Sequence, residues 1–171
     1  TCAPAGVAAR WARSSSPTGV VAALVCLPLL PGAPPWSTAL ATVNPTIRDQ
    51  LGWPDYARQI HDLRGEGEDV VVDLYPLAGA VHRYGDAADR AAVHSGHNAL
   101  WSLGPPRSQR VLLVGEHAVA QRASFRSCRS AGTLRTEPVV HPQLAGTPLL
   151  HCAGPVADWT TVWPRFRRLS G

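Results

Sequence analysis

At 171 residues the chain can build one domain with a sizeable core, but not two large ones. Hydrophobic residues make up 45% and charged residues 16%, which excludes a disordered tail and a heavily charged nucleic-acid binder. The net charge of +4 rests on arginines alone, scattered along the chain with no lysine, so no nucleic-acid partner is expected.

The first feature in chain order is an apolar run. No charged residue occurs from Ser14 to Ile47, and Pro17 to Trp36 supplies the roughly 20 residues that a helix needs to cross a bilayer. Arg10 and Arg13 precede it, which predicts a cytoplasmic lead-in over 1–16, a membrane helix over 17–36 and an extracytoplasmic domain over 37–171. A secretory signal with cleavage near Ala39-Leu40-Ala41 and a buried core helix are the rival readings. The chain has no methionine and is read as a processed product or a piece of a longer reading frame.

Beyond Asn44 the composition becomes that of a soluble domain. Asn44-Pro45 and Trp53-Pro54 each predict a helix start. From the second, Trp53, Tyr56, Ala57, Ile60 and Leu63 fall at helical spacing, with Gly65 as a left-handed stop. "EDVVVDLY" predicts a strand buried on both faces, "PLAGAVHRYG" a helix ending at Gly85, and "AAVHSG" a short strand. The loop "HSGHNALWSLGPP" follows. "RVLLVG" is the clearest strand and leads into a helical stretch over His117–Ser127. Strands are expected near Thr133–Val140 and Pro148–Ala153. A final amphipathic turn follows, with Asp158 as cap and Trp159, Trp163 and Phe166 on one face. Strands alternating with helices imply an α/β three-layer sandwich with a small, largely parallel sheet behind one membrane helix.

Four cysteines occur, and only Cys128 and Cys152 lie in the soluble part. In an extracytoplasmic domain a disulfide between them is the natural reading, with two unrelated buried thiols as the alternative. No C-x-x-C spacing suggests zinc. His94 and His97 are three apart, but Gly96 and the preceding strand argue against a shared helix face, so no metal is expected. No Gly-rich phosphate loop follows a strong strand, and no cofactor is expected. "HSGHN" lacks the G-x-S-x-G pattern of a nucleophile elbow. Asp73 ends a buried strand, where ligands of open α/β sheets bind, and equally where an Asp caps a helix or pairs with an Arg. In the loop, His94, His97, Asn98 and Trp101 either satisfy one another as a rigid wall or offer polar and aromatic contacts to a sugar.

Five segments in order, "NPTIRDQLGWPDYARQI", "LAGAVHRYG", "HSGHNALWSLGPP", "RVLLVG" and "CAGP…WPRFRRL", carry a resemblance. From about Pro17 the chain resembles the C-terminal end of bacterial GT-C type glycosyltransferases of the protein-mannosyltransferase and aminoarabinose-transferase kind. In that family a last membrane helix leads into a small extracytoplasmic α/β domain. The resemblance implies transfer of a sugar from a polyprenyl-phosphate donor to an extracytoplasmic acceptor. The family's catalytic carboxylate loop lies near the N-terminus of the whole enzyme and is not in this chain. The chain thus reads as a non-catalytic fragment, with the rest of the polytopic enzyme, the lipid-linked sugar, its acceptor and the membrane as partners.

Where relatives carry an Asn-Tyr-Gly-Glu-Ala-Gly-Ala-like run, this chain has Leu74-Tyr75-Pro76-Leu77-Ala78-Gly79-Ala80, which keeps Tyr75 and loses the Asn and the acid. The polar stretch that relatives show before the last strand is not evident in "TEPVVHPQLAG". Substrate-contact candidates are Asp73, Tyr75, His94, His97, Asn98 and Trp101. Two other readings are an exported single-domain glycan-binding module with a cleaved signal and a small hydrolase using Asp73 with a histidine.

Overall fold

A computed structural model describes residues 48–49, 51–135, 141 and 144–169. The expected membrane helix over 17–36 and the helix start at Asn44-Pro45 lie outside these residues. So does most of the strand expected near Thr133–Val140. Among the described residues no helix is long and apolar enough to cross a membrane. The chain from Gln50 onward forms one compact unit.

Helix α1, Trp53–Leu63, starts with Pro54 in its first turn behind Gly52, whose φ of 80° is left-handed. It buries Tyr56, Ala57 and Ile60, the face predicted from spacing. Its end differs from expectation. Arg64 turns into extended backbone, and the left-handed glycine is Gly67 rather than Gly65. Strand β1, Asp69–Val72, helix α2, Tyr75–Tyr84, and strand β2, Val93–Ser95, follow. Between α2 and β2 lies a further short helix, α3, Ala87–Ala92. It is started by a capping box in which Asp86 and Asp89 each accept the other's backbone N–H.

The loop after β2 is wound into a 3-10 helix, Asn98–Leu103, and β3 runs from Arg110 to Val114. The helical stretch expected over His117–Ser127 is shorter. Helix α4, Glu116–Ala120, passes through one 3-10 turn into strand β4, Phe125–Thr133, so Cys128 lies inside a strand and not after a helix. Strand β5, Pro148–Pro155, and a final helix α5, Trp159–Val162, with a 3-10 turn, Trp163–Phe166, complete the unit. Asp158 precedes α5 without a side-chain cap bond, and its carbonyl accepts from Thr161 and Val162 instead.

The strand order is β2-β1-β3-β5-β4. Strands β2, β1 and β3 pair in parallel, whereas β5 is antiparallel to both β3 and β4. The sheet is therefore mixed and not largely parallel. Although β5 alone reverses direction, it lies between two partners and makes the longest ladders, so most paired positions are antiparallel.

Alternation along β1 and β3 sends side chains into two cores. Val70, Val72, Leu112 and Val114 pack beneath α1 and α2 with Tyr56, Ile60, Leu77 and Val81. Val71, Val111 and Leu113 face the other way, against Phe125, Trp159, Val162, Trp163 and Phe166. A sheet covered on both faces explains the unbroken apolar runs of these two strands. Cys128 and Cys152 are cross-strand partners of β4 and β5 and form a disulfide.

Candidate functional site

Strands β2 and β3 lie on opposite sides of β1, so the chain leaves the carboxyl end of β1 toward one neighbour and returns on the other. Open α/β sheets bind ligands at the carboxyl ends of the strands that flank such a reversal, here β1 and β3. Asp73 stands there, 6% exposed, immediately after β1. Its backbone N–H donates to the Val114 carbonyl, and its Oδ2 accepts the His117 backbone N–H at 3.1 Å. The Arg168 guanidinium lies 3.9 Å from the same oxygen. Oδ1 has no hydrogen-bond partner among the described residues, and neither has the buried Nε2 of His117. Burial pushes the Asp73 carboxyl above its ordinary value, against the opposing pull of the His117 N–H and of the Arg168, His117 and His97 charges.

Gly115 makes room for this carboxylate. A β-carbon there would lie 2.0 Å from Asp73 Oδ1, and the φ of 108° is itself a glycine conformation. The turn after "RVLLV" is thus shaped to seat an acid from another strand.

His97 and Tyr75 border Asp73. His97 is 3% exposed, and its Nδ1 accepts the Tyr75 backbone N–H at 3.1 Å, which places the proton of the neutral ring on Nε2. The Tyr75 ring lies 5.2 Å from the imidazole and is 57% exposed. Arg168 is brought in by the C-terminal segment, which adds a short parallel bridge beside His97. Its N–H donates to the Gly96 carbonyl at 2.9 Å, and its carbonyl accepts from Asn98 at 2.8 Å. Asn98 is exposed at the same rim, with a φ of 49°.

The structure therefore gathers four of the six candidates, Asp73, Tyr75, His97 and Asn98. It places His94 and Trp101 elsewhere. His94 Nδ1 lies 3.2 Å from the Gly104 carbonyl and Nε2 3.8 Å from Asp69, with the ring edge-on to Trp163. Trp101 and Trp163 each donate the indole N–H to the other's carbonyl, and Arg167 stacks over the Trp101 ring at 4.8 Å. These two residues hold the loop against the aromatic core. His117 and Arg168 were not identified from sequence. A histidine just after the Gly that ends a strand was the available signal for the first; the second has none, being 95 positions from Asp73.

One group of possible metal ligands occurs among the described residues, His61, Asp86 and Asp89. Asp89 is committed there to its capping box, to His61 Nδ1 at 2.8 Å and to Arg64 at 3.2 Å. An arginine already neutralises that carboxylate, so the cluster reads as a helix anchor.

Scans against protein-family models, curated proteins and solved structures returned no match. What the fold and geometry define is a mixed α/β unit with a cluster of polar side chains at its switch point.

Proposed function

We propose that this chain is the non-catalytic, extracytoplasmic end of a GT-C type membrane glycosyltransferase, and that the polar cluster at its switch point contacts the sugar of the polyprenyl-phosphate donor or of the acceptor. The observation that carries this reading is the meeting of Asp73, Tyr75, His97 and Arg168 at the carboxyl end of β1. A carboxylate accepts from sugar hydroxyls, a guanidinium donates to ring and hydroxyl oxygens, and an exposed aromatic face stacks on the apolar face of a pyranose. The Cys128–Cys152 disulfide suits an oxidising compartment outside the cytoplasm. An exported glycan-binding module would use the same polar cluster and the same disulfide. The hydrolase reading finds less support, because the Asp73 carboxylate takes a backbone N–H from His117 and not an imidazole N–H.

The test is sugar transfer in membranes that carry the whole reading frame to which this chain belongs. Tyr75→Ala is expected to lower transfer about tenfold, the scale of a lost stacking contact and its ordered neighbours, at unchanged protein level. Trp101→Phe, which keeps the aromatic packing, is expected to leave transfer close to wild type. Full transfer by Tyr75→Ala and by Asp73→Asn would remove the contact role.

A further inference from the structure

A second polar cleft lies at the other end of the sheet. The surface over β4 and β5 on the α1 side forms its floor, and the turn from Gly65 to Glu68 forms its wall. It measures about 350 Å³ and is lined by Glu68, Arg110, Ser127, Arg129 and His151. The register explains the convergence. Arg129 pairs with His151, while Ser127 and Arg110 both pair with Ala153, so strand alternation sends all four side chains to one face.

Glu68 is 5% exposed, and its ion-pair partner among the described residues is His151 and not an Arg. Its oxygens accept from the Gly65 N–H at 2.8 Å and hold His151 Nδ1 at 2.9 and 3.0 Å. The Glu68 carboxylate thereby fixes one ring nitrogen of His151 and turns the other away from itself. Arg110 is fixed as well, since its guanidinium donates to the Glu66 carbonyl. The Arg129 guanidinium has no hydrogen bond or ion pair among the described residues, although it sits directly across the strands from His151. Two arginines against the one carboxylate of Glu68 leave this cleft a positive excess that an anion of phosphate size would neutralise with charge-assisted bonds, with the His151 ring as a further hydrogen-bonding group.

We propose that this cleft binds a phosphate-class anion, a free phosphate or phosphomonoester or the phosphate of a lipid headgroup, through Arg110, Arg129 and His151. The site shares no residue with the Asp73 cluster, so either proposal can fail without the other.

The experiment titrates the full chain with inorganic phosphate while following the His151 ring and Arg129 side-chain signals by heteronuclear NMR. It is paired with co-sedimentation on phosphatidylcholine vesicles with and without phosphatidic acid. Arg129→Ala changes an exposed edge position and is expected to keep the fold. It should weaken binding about tenfold, the size of one charge-assisted hydrogen bond. His151→Gln should weaken it similarly, and if that variant fails to fold, Arg129→Ala alone decides. Saturable, Arg129-dependent binding of inorganic phosphate identifies a soluble anion. Arg129-dependent binding confined to vesicles with phosphatidic acid identifies a lipid phosphate. Absence of binding to both probes, or binding that Arg129→Ala leaves unchanged, overturns the proposal.

Discussion

At Gly115 a single hydrogen stands where any other residue would place a carbon 2.0 Å from Asp73 Oδ1, at a φ of 108°. Gly115→Ala therefore combines a strained backbone with a collision against a buried acid. It should cost at least about 2 kcal/mol of stability, read as a lowered urea midpoint. An unchanged midpoint would mean that the β3–α4 turn has another conformation. His94 supplies a pH-dependent contribution. Burial holds its imidazole below the ordinary 6.5, with the Gly104 carbonyl and Asp69 opposing and Arg107 adding to the shift. A depressed histidine binds fewer protons folded than unfolded, so stability is fully present above about 6.5 and falls as the pH drops toward the folded value. His94→Gln should flatten that acid-side loss in thermal melts recorded between neutral and mildly acidic pH. An identical slope in variant and wild type would place the titration elsewhere.

Among the elements, the C-terminal segment depends on Gly96. A β-carbon there would meet the Phe166 carbonyl oxygen at 1.9 Å, so only glycine lets the segment through Arg168 lie beside Gly96 and His97. Gly96→Ala should detach that segment and carry Arg168 away from Asp73. Hydrogen exchange at the Arg168 and Asn98 amides should then rise about tenfold or more, the measure of some 1.4 kcal/mol of local stability. Unaltered protection would show that the bridge survives the substitution. The elements also differ in how openly the sequence declares them. "DVVV" and "RVLLV" are legible because both their faces are buried. "FRSCRSAGT" is not, because β4 is an edge strand with most of its residues exposed and no alternation to betray it. Helix α3 was readable in the Asp86-to-Asp89 spacing, a signal hidden by the short length of the element.

For the whole molecule, the disulfide ties the edge strand β4 to β5 across a separation of 24 residues. The chain-entropy relation gives about 3.5 kcal/mol for a loop of that size. Replacing both cysteines by serine should lower the denaturation midpoint accordingly, and reduction of the native chain should do the same. Equal midpoints for oxidised and reduced chains would mean that the bridge is absent in solution. Long-range pairing is also where sequence reading stops. Asp73 could be suspected from its place at a strand end, His97 from the pattern of its loop, and Tyr75 from the resemblance. Nothing local announces that β5 inserts in reverse between β3 and β4, nor that Glu68 meets His151 across 83 positions. Both sites are products of strand order, which sequence patterning specifies only through the completed core.

The role proposed for the Asp73 cluster at the carboxyl end of β1 is contact with a sugar. It is tested most directly by titrating the full chain with methyl α-mannopyranoside while following the backbone amides of Tyr75, His97, Asn98 and His117 by heteronuclear NMR. The expected result is saturable shifts at these four residues that vanish in Asp73→Asn, whose amide nitrogen replaces one acceptor with a donor. Shifts that are absent, that fall on other surfaces, or that persist in Asp73→Asn would contradict the claim.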